Sequence, residues 1–126
     1  IFKNSKFRSC AGGGQWSSLS CQDNADKGKL ILHETGHSFG HLADEYVEYG
    51  KGSRPWGPNC ADDESEAYKK WGELVGKQDI GLYEGCSYTD DNVRPTKNSL
   101  MRSHYSADSY GLVNEIAILN ILEGYK

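Results

Sequence analysis

The chain has 126 residues, of which 37% are hydrophobic, and a net charge of −4. That length suits one domain with a single small core, burying roughly two thirds of the surface the unfolded chain exposes. The acidic balance argues against nucleic acid or an anionic membrane as partner, and no apolar run approaches the ~20 residues of a membrane helix.

In chain order, the loose alternation of Ile1 to Phe7 predicts an edge strand, ending at the Cys10-Ala11-Gly12-Gly13-Gly14 loop. The opening Ile1-Phe2-Lys3 has neither a Met nor an apolar leader, as expected of a mature or trimmed product. Asp23-Asn24-Ala25-Asp26 offers helix-start residues, and Lys27 to about Phe39 reads as a helix that Gly40 ends or turns sharply. Gly50 to Asn59 is a loop by its Gly and Pro content, and Glu64 to Val75 predicts a short helix carrying Trp71 and Leu74. Ile80 to Asn98, interrupted by Gly81, Gly85 and Pro95, predicts irregular structure. Tyr110 to Tyr125 predicts a closing helix with a broad apolar face of Leu112, Val113, Ile116, Leu119, Ile121 and Leu122. With no repeat and no linker, residues 1–126 read as one domain.

Cys10, Cys21, Cys60 and Cys86 form no Cys-x-x-Cys pair, which disfavours a cysteine zinc site. Two disulfides in an oxidising, extracellular setting fit better. Of the three pairings, Cys10–Cys21 with Cys60–Cys86 is expected, each closing a glycine-rich loop region.

The chemistry concentrates in His33-Glu34-Thr35-Gly36-His37. Histidines four apart on a helix share a face, so their imidazoles can converge on one cation at about 2.0–2.1 Å. Glu34 then stands beside that space, suited to take a proton from a water activated by zinc rather than to bind the metal. Zinc brings the pKa of such a water toward ~7 and polarises a peptide carbonyl without redox chemistry. A catalytic zinc needs a third protein ligand, and His41, Asp44 and Glu45 are candidates. On an unbroken helix His41 lies ~12 Å along the axis from His33, too far for one ion. If Gly40 breaks the helix, Asp44 or Glu45 can fold back to the metal. Asp44 is the expected ligand, and Glu45 is suited to accept a hydrogen bond from a ligating histidine.

The run from His33 through Tyr46 resembles the M64 family of metallopeptidases, named for an immunoglobulin A peptidase and grouped with metzincin-like enzymes. Metzincins read His-Glu-x-x-His-x-x-Gly-x-x-His/Asp. This chain matches through Gly40, has Ala43 at the next ligand position, and carries Asp44-Glu45-Tyr46 one place later. Val93 to Arg102 is similar to the stretch through the family's Met-turn, which implies that Met101, the one methionine, packs under the metal site. Phe2 to Phe7 is similar to the end of the strand bordering the substrate cleft. The resemblance implies an α+β, metzincin-like zinc peptidase domain. Here it would comprise mostly the active-site helix, a loop-rich C-terminal part and the C-terminal helix. Most of the upstream sheet would then lie outside these residues, in a preceding segment or a partner chain.

The resulting expectation is a secreted zinc endopeptidase acting on a protein or peptide. His33, His37 and Asp44 would hold Zn2+, and Glu34 would serve as general base and then general acid. Arg94, Arg102, His104 and Tyr105 are candidate oxyanion donors or substrate contacts. Nothing in the sequence points to immunoglobulin as substrate. The rival expectation is an inactive, metal-stabilised binding or structural module derived from such a peptidase. Structural zinc sites usually close with four protein ligands, whereas three candidates and a general base cluster here.

Overall fold

The computed structural model describes residues 27–125, together with the backbone of four two-residue strands ahead of them. These are β1 (Phe2–Lys3), β2 (Cys10–Ala11), β3 (Ser17–Ser18) and β4 (Ser20–Cys21). β1 pairs in parallel with β4, and β2 antiparallel with β3. β1 falls inside the strand predicted over Ile1 to Phe7. The rest of that segment, its place at a cleft edge and the Cys10–Cys21 pairing lie outside the described residues.

Helix α1 spans Lys27–Ser38, close to its predicted extent. Gly40 follows, but it is not the residue that takes the left-handed backbone conformation; His41 does, with φ 51°. Gly40 is needed for room instead. A Cβ there would stand 2.8 Å from the Gly36 carbonyl oxygen and 3.0 Å from Ile118. The helix closes through a wide turn, with Gly40 N–H donating to Thr35 O at 3.3 Å and Leu42 N–H to Gly36 O at 3.0 Å.

Helix α2 spans Glu64–Trp71. Asp63 caps it, its carboxylate accepting from Glu66 N–H at 2.8 Å. The predicted helix ran on to Val75. The chain instead tightens into a 3-10 turn at Gly72–Leu74, as a glycine weakens the last α-helical turn.

The segment from Ile80 to Asn98 corrects the prediction of irregular structure. It is an antiparallel hairpin of β5 (Ile80–Cys86) and β6 (Thr89–Thr96). The glycines and proline that read as breakers have other uses. Gly85 sits at a register shift with φ 95°, where a Cβ would lie 2.8 Å from Val47 Cγ2. The two-residue loop, Ser87-Tyr88, has positive φ at both positions (49° and 72°), the conformation of a type I′ turn.

Helix α3 spans Leu112–Gly124. Its start is packed: Val113 joins Ala61, Ala67, Trp71 and Ile80 in the main core, with Leu112, Leu74, Leu82 and Val93 against it. The expected apolar face is covered only in part, because Leu119 and Leu122 are exposed. Three helices and a hairpin make the described chain a small α+β unit. No helix among the described residues is long and apolar enough to cross a membrane. Cys60 and Cys86 are disulfide-bonded, their Cα atoms 5.9 Å apart, as the sequence predicted.

Candidate metal centre

One turn of α1 separates His33 from His37, and both side chains are buried. Each ring is fixed through Nδ1: His33 on the Leu100 carbonyl at 2.7 Å, His37 on the Leu42 carbonyl at 2.8 Å. A carbonyl oxygen only accepts, so each Nδ1 carries a proton, and in its neutral form each ring turns an Nε2 lone pair inward. The two Nε2 atoms stand 3.1 Å apart. The turn after Gly40 brings Asp44 Oδ1 to 3.2 Å from His33 Nε2 and 3.1 Å from His37 Nε2.

These three atoms form a nearly equilateral triangle of acceptors, all buried. Among the described residues the two Nε2 atoms are what faces Asp44 Oδ1, and with both rings neutral neither donates to it. Acceptors crowded in this way are unfavourable by themselves and suit a cation. A tetrahedral ion at ~2.0–2.1 Å from its donors holds them about 3.3–3.4 Å apart, close to the separations here. His33, His37 and Asp44 can therefore hold a metal ion. Without one, burial works against charging His37, but the Asp44 hydrogen bond and charge, with the Glu34 charge, hold its pKa above the ordinary value. Burial also opposes ionisation of Asp44, and the two histidines and Tyr88 outweigh it, leaving the carboxyl well below its usual range.

Glu34 is buried beside His33 on the same helix. Of the two acidic residues after the turn, the structure brings Asp44 to the histidines and takes Glu45 elsewhere. Glu45 does not accept from His33 or His37, whose Nδ1 atoms donate to backbone carbonyls instead, contrary to the role the sequence suggested. It is fully buried and accepts from Asn59 at 2.9 Å and Asn114 at 2.8 Å on Oε1, and from Ser99 at 2.7 Å and Thr96 at 3.2 Å on Oε2. Burial pushes its pKa up against those four donors. Its N–H donates to Met101 O at 2.9 Å, so one residue ties the Asp44 loop to the segment under α1. Met101 is fully buried beneath Gly36, in a turn closed by Arg102 N–H on Ser99 O at 3.0 Å.

Other predicted contacts divide. The His104 ring lies 5.8 Å from that of His33, so it flanks the cluster, and the Tyr105 ring lies tilted against His104 with centroids 4.0 Å apart. Arg102 is exposed. Arg94 is buried and donates to Thr96 O and Gly85 O, each at 3.0 Å, so it braces the hairpin. His41 is exposed, in line with its distance along the chain.

Three neighbours were not singled out from sequence. Trp56, in the Gly- and Pro-rich loop, lies 6.1 Å from the His37 ring and is exposed. Asn59 pairs with the backbone of Ala43 through both ends of its amide, at 2.8 and 3.0 Å. The Tyr88 hydroxyl donates to Asp44 Oδ2. An exposed tryptophan among glycines and prolines is a usable signal; Asn59 and Tyr88 carry none, because tertiary folding alone brings them here.

Two histidines and a carboxylate gathered by a helix and its following turn are a donor set that could hold a metal ion. The model of the family described as IgA Peptidase M64 matches residues 1–80, and the chain belongs to that family. That span contains α1, Glu34 and all three clustered residues. Membership makes a protein or peptide the substrate class. No curated protein sequence matches the chain.

Proposed function

We propose that this protein is a secreted, metzincin-like zinc endopeptidase in which His33, His37 and Asp44 hold Zn2+ and Glu34 is the general base. The observation that carries this reading is the triangle of buried acceptors, with separations of 3.1, 3.1 and 3.2 Å. Two neutral imidazoles and one carboxylate leave a divalent ion with a net positive charge, which suits Lewis-acid chemistry, and borderline-soft nitrogen donors suit zinc. When bound, the metal would acidify a water and polarise the scissile carbonyl.

The chain's own residues do the rest. Glu34 takes the proton of the attacking water and returns it to the leaving amine. His104 lies beside the His33 ring and Trp56 beside that of His37, and His104 or its neighbour Tyr105 would be the donor to the developing oxyanion. Residues 1–126 would belong to one catalytic domain, and the Cys60–Cys86 bond fits an extracellular setting.

Glu34→Gln tests the reading. The amide keeps the shape but cannot take up a proton, so hydrolysis of a generic protein substrate should fall by at least about 10²-fold. Zinc content, measured by mass spectrometry, should stay at one ion per chain. A Glu34→Gln protein with full activity would refute the assigned base. A zinc-loaded wild type with no hydrolysis and tight partner binding would favour the inactive module.

A further inference from the structure

The two oxygens of Asp44 have separate partners. Oδ1 faces both histidine Nε2 atoms, while Oδ2 accepts the hydroxyl proton of Tyr88. We infer that Tyr88 is a positioning residue for the metal centre, holding Asp44 so that it offers the metal one oxygen rather than two. The inference rests on the reading of His33, His37 and Asp44 as metal ligands.

An aspartate side chain turns easily about its last torsion, and its carboxylate can chelate a cation through both oxygens. A donor fixed on Oδ2 removes that freedom and leaves Oδ1 directed at the site. The donor is itself firmly held. Tyr88 occupies a left-handed conformation, φ 72°, that bulky residues rarely adopt.

What holds it there is the ligand's own segment. Ser87 N–H donates to Asp44 O at 2.8 Å, Tyr88 N–H to Tyr46 O at 3.0 Å, and Glu48 N–H to Tyr88 O at 3.1 Å. The Tyr46 ring packs edge-on against Tyr88 with centroids 5.5 Å apart. The hairpin turn therefore grips the Asp44 backbone with one residue and its side chain with the next. A tyrosine kept only to fill space would not need a hydroxyl aimed at the oxygen that faces away from the histidines.

Tyr88→Phe in the full chain tests this, with Zn2+ and Co2+ as probes. Zinc affinity, from competition with a chromophoric chelator, should weaken by about 10–100-fold. The visible bands of the cobalt-loaded wild type should be intense, as for four ligands. Those of Tyr88→Phe should weaken as Asp44 binds through both oxygens and the coordination number rises. The thermal midpoint of the metal-free variant should stay near that of the wild type, whereas a purely structural role would lower it and leave the spectrum alone. Equal zinc affinity and identical cobalt spectra would overturn the inference. So would weak, higher-coordinate bands in the wild type itself, a measurement that needs no variant to fold. A wild type that takes up neither metal would instead defeat the underlying metal-site reading.

Discussion

Position 36 shows how closely the histidine helix is seated. A Cβ there would lie 2.4 Å from Met101 Sδ and 3.1 Å from Tyr110 Cε1, so the helix rests directly on the methionine. In an open helix Gly→Ala would gain ~1 kcal/mol, but overpacking a buried contact costs about 1–3 kcal/mol. Gly36→Ala is therefore expected to lower the thermal midpoint. Met101→Ala in the same chain should restore part of the loss, and strictly additive effects in the double-mutant cycle would show that the contact is not the cause.

His37 sets a second expectation at this scale. Its folded pKa lies above the ordinary 6.5, so the folded chain binds this proton more tightly than the unfolded one. The stability it contributes is full below about pH 6.5 and is lost as pH rises through the folded value. Metal uptake needs the neutral ring and so strengthens over that same range. Metal-free and zinc-loaded protein should thus show opposite trends in thermal midpoint between about pH 6 and 8. Parallel trends would contradict the coupling.

Among the elements, the hairpin β5–β6 repays attention because it supplies the turn against Asp44. Gly85→Ala would place a Cβ 2.8 Å from Val47 Cγ2 and force a side chain onto φ 95°. The expected loss, read by urea unfolding, exceeds about 1 kcal/mol. Val47→Ala should relieve the clash but not the backbone, so it rescues only in part. The same element marks where the sequence stops being readable. His33, Glu34 and His37 lie within one helical turn, where spacing alone determines direction, and Asp44 follows after a short loop. Tyr88 is 44 residues from Asp44, in a turn without the Asn-Gly that signals its type, between strands whose Gly85 and Pro95 resemble breakers. The two helices carrying core residues were legible from their apolar residues. Helix ends were less so: α2 tightens at Gly72 instead of running on to Val75, and α1 turns on a left-handed His41 rather than on Gly40.

Across the molecule, the Asp44 segment is held from two sides. Asn59 pairs with Ala43 and Glu45, and Ser87 and Tyr88 with Asp44. Those two braces adjoin Cys60 and Cys86, so the disulfide joins brace to brace. Replacing both cysteines by serine should cost about 2–5 kcal/mol in chemical unfolding. The effect on the centre should come first. A reductant would act on this protein as a metal-release agent: at concentrations that leave the helices folded, zinc should pass to a chelator faster than from the oxidised chain. The three proposed ligands contain no sulfur, yet their hold on an ion would follow the redox state of the surroundings.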